Sequence, residues 1–187
     1  MILDLGCGGR LESEDAIGID LVAPPNSRAS IICNLGFEPI PFDDDSCELV
    51  VAHHFIEHLP FVLWYREDGK WIKDTPVIYL FNDVYRVLKS GGIFKVTVPM
   101  TMDMFNQGHG QGLQDPTHVG FWVPETVNYF SGDYYGFHEV YHHKTRFELI
   151  SREMLEWYMC FQLKARKDLI GGRRIDWAAD LIVALVG

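Results

Sequence analysis

Leu3-Asp4-Leu5-Gly6-Cys7-Gly8-Gly9 decides how this chain is read: an apolar strand with an acidic residue inside it, running into a glycine loop. Glycines there let the backbone turn sharply and let a ligand approach without a Cβ in the way. A tight structural turn uses the same residues, so the surroundings must separate the two readings. The third glycine of a G-x-G-x-x-G dinucleotide fingerprint falls at Leu11, and the pattern fails there. The next acidic strand end, Asp20, arrives well short of the roughly 20 residues a dinucleotide site leaves before its ribose-binding acid. Only Arg10 to Asp15 separate the loop from the second strand, too few for a crossover helix. Without that helix there is no N-terminus to hold a pyrophosphate. A ligand without phosphates loses nothing by its absence.

Strand and helix signals alternate along the rest of the chain. Apolar runs predict strands over 2–5, 16–21, 30–33 and 47–52. Val77, Leu80, Phe81, Val84, Val87 and Leu88 recur at helical spacing and predict a helix over 77–88. Lys89-Ser90-Gly91-Gly92 is a stop signal for it. A strand is predicted over 93–98, a β pair over 147–150 and 157–164, and a last helix over 175–186. Strands joined by crossover segments indicate a single α/β domain, 1–187, with a largely parallel sheet. Ligands of such sheets lie outside the carboxyl ends of the strands. Asp20 sits at one such end, where a carboxylate, an acceptor-only group, suits both hydroxyls of a ribose.

The balance of charge narrows the partners. The 187 residues carry a formal net charge of −10, and no run of Lys or Arg marks a stripe. Phosphate backbones call for clustered positive charge, so no nucleic-acid partner is expected. Acidity suits a cationic ligand, and a sulfonium is one. Cys7, Cys33, Cys47 and Cys160 form no CxxC pair and read as reduced thiols, which fits the cytoplasm. Met1 runs directly into strand residues, so no leader is expected. The apolar run 177–186 is too short to span a bilayer.

Five segments in order carry a resemblance: Leu-Asp-Leu-Gly-Cys-Gly (3–8), Gly-Ile-Asp (18–20), Pro-Phe-Asp-Asp-Asp-Ser (41–46), Ala-His-His-Phe-Ile-Glu-His-Leu (52–59) and Val-Tyr-Arg-Val-Leu-Lys-Ser-Gly-Gly (84–92). Together they resemble successive motifs of class I S-adenosylmethionine (SAM)-dependent methyltransferases, in particular the small methyltransferase domain 11 type. The resemblance implies a Rossmann-like α/β fold with a mostly parallel seven-stranded sheet, its first crossover helix absent or reduced. It implies SAM as cofactor, with S-adenosylhomocysteine as product. Asp4 would hold the methionine ammonium, and Gly6, Cys7 and Gly8 would pass beside the cofactor. Asp20 and Leu21 would meet the ribose, Asn34 and Leu35 the adenine, and Ala52 and His53 the sulfonium. Arg10 stands where the family often has glycine and Ser90 where it often has proline.

Two segments would cover a methyl acceptor. Residues 59–76 carry Phe61, Trp64, Tyr65 and Trp71 around Asp68-Gly69, as a lid or as a hairpin packed on the core or on a second subunit. Residues 100–120 form a long loop ending in Asp115-Pro116-Thr117-His118. His118, oriented by Asp115, is a candidate general base for an acceptor hydroxyl, with His54 beside the sulfonium; otherwise His118 anchors the loop. Glu57-His58 is read as opening a helix after the fourth strand, the carboxylate complementing its dipole. His138, His142 and His143 cluster, yet no HExxH pattern is present and no metal site is expected. The expected activity is methyl transfer to a small-molecule or glycan-type acceptor by a monomer or homodimer. The alternatives are a non-catalytic SAM-binding module partnering another enzyme and a nicotinamide oxidoreductase, which Leu11 and the early Asp20 disfavour.

Overall fold

The computed structural model describes residues 1–101, 111–131 and 144–167. Its elements are β1 (Ile2–Leu5), β2 (Ala16–Asp20), β3 (Ala29–Ile32), β4 (Cys47–His53), β5 (Leu63–Glu67), β6 (Lys70–Asp74), α1 (Pro76–Val87), β7 (Leu88–Pro99), β8 (Phe147–Met154) and β9 (Tyr158–Ala165). Seven strands form one sheet in the order β3-β2-β1-β4-β7-β9-β8. β1 to β4 and β7 run parallel, and β9 lies antiparallel between β7 and β8. The expected mostly parallel seven-stranded α/β sheet is the one observed. Among the described residues no helix is long and apolar enough to cross a membrane.

The missing first helix is also observed: no helix joins β1 to β2, β2 to β3 or β3 to β4, only turns, bends and an isolated bridge between Leu35 and Glu38. Gly18 shows how bare loops can stand in for helices. A Cβ there would meet Arg28 O at 2.6 Å, Cys7 Sγ at 2.7 Å and Leu11 Cδ2 at 2.9 Å. The loops before and after β2 therefore press on its backbone, a separation only glycine allows. Burial pushes the Cys7 thiol up to about 11, with Asp20 and Asp4 adding to the rise, so it packs there as a neutral thiol.

α1 buries Val77, Leu80, Phe81, Val84 and Val87 against the sheet. Phe81 meets Phe94 edge-on with ring centroids 5.2 Å apart and lies 3.9 Å from the ring of Phe130. The fully buried Trp122 extends this aromatic core. Pro76 begins the helix with its φ already set, and Leu88 ends it in extended backbone. The chain thus passes straight into β7, which starts at Leu88 rather than at the predicted Ile93. Gly91, at φ +82°, lies where the pairing with β4 changes register between Cys47 and Leu49. Arg86 of the same helix is a staple. It donates to Asp83 Oδ1 (2.6 Å), Asp44 Oδ1 (2.9 Å), Phe42 O (2.7 Å) and Ile40 O (2.8 Å). Two of the segments that carry the family resemblance, 41–46 and 84–92, are joined by this one side chain.

The aromatic segment 59–76 contains a hairpin, β5–β6, turning at Asp68 (φ +46°) and Gly69 (φ +80°). Two successive positive φ values make a type I′ turn, for which Asp-Gly is a preferred pair. The hairpin does not bury its aromatics: Trp64 is 59% exposed and Trp71 68%. The predicted closing β pair is present as β8 and β9. The predicted terminal helix, and His138, His142 and His143, lie outside the described residues.

Candidate cofactor and acceptor site

The carboxyl ends of β1, β2, β4 and β7 form one edge of the sheet, and the glycine loop turns there. Gly6 and Gly8 both take positive φ, +64° and +51°. Their surroundings differ. A Cβ on Gly6 would lie 2.5 Å from the Phe55 ring, whereas a Cβ on Gly8 would meet nothing within 4 Å among the described residues. Gly6 is closed by packing, and Gly8 leaves its backbone open to a ligand. The Gly8 amide donates to Asp20 Oδ2 (2.8 Å) and the Leu21 amide to Asp20 Oδ1 (2.7 Å). Both carboxylate oxygens are thereby held by backbone amides at this edge, each with a lone pair remaining for a hydroxyl. Leu21 and Val22 follow, 58% and 61% exposed, an apolar flank next to that acid. Asn34 is exposed beside the buried Leu35, and its amide donates to Glu38 Oε2 (2.8 Å). Glu38, not singled out from the sequence, supplies the acidic group near this position.

Asp4 is buried within β1, and its Oδ2 accepts from the Glu12 amide (2.6 Å). Burial raises its pKa, opposed by that hydrogen bond and by His53. Glu12 was invisible to motif reading, yet it organises this corner. Its carboxylate takes Lys95 Nζ (2.7 Å) and His53 Nε2 (2.8 Å). The other nitrogen of His53 bonds Thr97 Oγ1 (2.9 Å). His53, expected beside the sulfonium, is therefore held at both nitrogens in a chain that joins the first loop to β4 and β7. Ala52 is fully buried next to it.

His54 turns away from the strand. At φ +49° it is in the left-handed region, its amide donates to Thr97 O (2.8 Å), and its side chain is 53% exposed. The helix read at Glu57-His58 is a single 3₁₀ turn, Ile56–His58, too short to present a dipole for the carboxylate to complement. Glu57 is instead 1% exposed with neither carboxylate oxygen hydrogen-bonded among the described residues. Its backbone carbonyl accepts from Val119 (2.9 Å) and Gly120 (2.8 Å), which docks the long loop onto the turn. Gly120 must be glycine for this, since a Cβ would lie 2.8 Å from Leu59 O.

Asp115 does not orient His118 by a hydrogen bond: Oδ2 is 3.8 Å from His118 Nε2. Its Oδ1 accepts instead from the Thr117 hydroxyl (2.7 Å) and amide (2.8 Å), and these bonds hold its pKa below the usual carboxylate value. His118 packs edge-on against His58 with centroids 4.9 Å apart. The fold thus brings together His54, Glu57, His58 and His118, a grouping the sequence reading did not make. Of the long loop, residues 102–110 lie outside the described residues.

A sheet with this strand order, one antiparallel strand second from its edge and a glycine loop after the first strand, is the class I fold of SAM-dependent methyltransferases. No family model and no curated protein matches the sequence. Solved structures do match. A SAM-dependent methyltransferase from Mesorhizobium loti is 15% identical, covering 87% of this chain and 89% of that one at a TM-score of 0.53. The 1,6-didemethyltoxoflavin-N1-methyltransferase of Burkholderia thailandensis, solved with S-adenosylhomocysteine, is 12% identical, covering 89% and 71% at 0.53. The [4+2]-cyclase SpnF is 14% identical, covering 88% and 75% at 0.54. Likeness at this identity shows the fold alone, and a cyclase on that fold shows that architecture does not name the reaction.

Proposed function

We propose that this chain is a cytoplasmic SAM-dependent methyltransferase acting on an oxygen of a small-molecule or glycan-type acceptor. The observation that carries the reading is the pairing of Gly8 with Asp20. An uncrowded positive-φ glycine and a carboxylate with both oxygens held by backbone amides at the same edge fit the ribose and the adjoining chain of an adenosyl ligand. Leu21 and Val22 would flank the adenine, with Asn34, Leu35 and Glu38 at its edge. Asp4 would face the methionine ammonium from inside β1; a buried carboxylate has most to gain from a cation. When bound, SAM supplies an intrinsically activated methyl group, leaving the protein to position the acceptor in line. His54, exposed beside Ala52 and His53, would accept the acceptor's proton. The exposed aromatics of the hairpin would cover the acceptor.

A second reading, a SAM-binding module without turnover, is favoured by the Glu12–His53–Thr97 chain, which uses both nitrogens of His53 within the fold. Calorimetric titration with SAM, S-adenosylhomocysteine and NAD tests the cofactor site. Binding of the two adenosyl ligands but not NAD is expected, weakened about 10- to 100-fold in Asp20→Asn, as loss of a charged hydrogen-bond acceptor implies. Absence of adenosyl binding by the folded protein rules out both readings. Turnover in an acceptor screen then separates enzyme from module.

A further inference from the structure

We propose that Glu57, His58 and His118 form a divalent transition-metal site with an open coordination position on the acceptor side of the sheet edge. One ligating atom from each residue lies within 4.8 Å of the other two. Two neutral imidazoles and one carboxylate are a donor set of catalytic zinc and of the facial triad of non-haem iron. With metal–ligand bonds of about 2.0–2.2 Å, closing the set takes side-chain movements of roughly an ångström or less.

Three independent features of these side chains support a cation there. The first is Glu57. A carboxylate this deeply buried is costly unless a counter-charge or donors meet it, and among the described residues neither oxygen has a hydrogen-bond partner. His54 Nδ1, at 3.7 Å, is beyond hydrogen-bonding distance. The second is the tautomer of His58. Its Nδ1 lies 3.3 Å from Thr117 O and 3.2 Å from Thr117 Oγ1, whose own proton goes to Asp115 Oδ1 at 2.7 Å. Nδ1 must therefore be the donor, and Nε2 keeps its lone pair. Metal-bound histidines are held in this way, the outer nitrogen donating to a carbonyl. The third is His118, whose Nδ1 is buried and without a hydrogen-bond partner among the described residues, while its Nε2 faces the Asp115 carboxylate at 3.8 Å.

A single turn, Asp115-Pro116-Thr117-His118, thus supplies one ligand, His118, and the outer support of another, His58. Burial falls from Glu57 through His118 to the exposed His58, so the open position faces solvent. A metal there would bind an acceptor oxygen and make its hydroxyl more acidic, with His54 beside it to take the proton. That use rests on the methyltransferase reading; the metal site does not.

The test uses the tag-free full chain, stripped with chelator and titrated with Zn²⁺ by calorimetry, then with Co²⁺ followed by visible absorption. About one equivalent of Zn²⁺ is expected, with a tetra- or pentacoordinate Co²⁺ spectrum. Affinity should fall at least 100-fold in both Glu57→Gln and His118→Ala, and about 10-fold in Thr117→Val, which removes an outer support. Thermal melts confirm that each variant is folded. No binding by the folded protein, or binding that survives both Glu57→Gln and His118→Ala, overturns the site. Titration with S-adenosylhomocysteine on the same samples judges the cofactor reading separately.

Discussion

Gly6 and Gly8 share a motif and a positive φ, but their neighbours give them different work. Gly6→Ala would set a Cβ against the Phe55 ring at 2.5 Å in a left-handed conformation. The two penalties together should cost about 3 kcal/mol, read as a lowered denaturation midpoint. Gly8→Ala meets no atom within 4 Å among the described residues and carries only the backbone penalty, about 1–2 kcal/mol. Its methyl would nonetheless stand in the space assigned to the cofactor. Calorimetry should therefore find Gly8→Ala folded and at least 10-fold weaker for S-adenosylhomocysteine; unchanged affinity would move the ligand away from this glycine. The motif itself was plain in the sequence. Which glycine is packed and which is open depends on Phe55, dozens of residues away, and no local pattern announces it.

Elements tell a similar story through β2 and the hairpin. Two crossovers without helices press on Gly18, so Gly18→Ala should destabilise by roughly 1–3 kcal/mol. Because it displaces the loops that carry Gly8 and lead away from Asp20, adenosyl affinity should fall with stability, a joint loss that chemical denaturation and calorimetry can follow. The hairpin β5–β6 should behave in the opposite way. Trp64 and Trp71 are mostly exposed, so replacing both with Ser should change stability by no more than ~0.5 kcal/mol. If the hairpin covers the acceptor, the same variant should raise the acceptor KM while leaving adenosyl affinity unchanged. Element types were legible from periodicity: β1 was predicted to the residue, and α1 and β9 were displaced by one. β7 was misjudged at its start because glycines that usually stop a helix here continue as extended strand, one of them at the bend in register.

Across the whole molecule, the chain Lys95–Glu12–His53–Thr97 ties the first loop to β4 and β7. Burial alone would raise the Glu12 pKa, but the bonds from Lys95 and His53 outweigh it and the value is lowered. A depressed carboxylate contributes stability that is fully present above its unfolded value of 4.5 and lost as pH falls through the lower folded value. Glu12→Gln should therefore be less stable than the parent at neutral pH. The gap should close as the solution is acidified below pH 4.5, a convergence visible in melts across pH. A gap that stays constant into acid would mean that Glu12 acts through shape and not through charge. Since the same carboxylate positions His53, the variant also reports whether that histidine is needed near the cofactor.

The sequence determined the class of fold, the missing first helix, the glycine loop and the acid at the end of β2. These are local matters, settled by the spacing of apolar residues and by how few residues separate two strands. Only the tertiary structure decided which polar groups meet. Glu12 reaches His53 and Lys95, Arg86 joins two distant segments, and a buried Glu57 faces His58 and His118 across a loop docked by Gly120. Such meetings are set by the order of strands in the sheet and by loop docking, through contacts whose partners lie far apart in the chain.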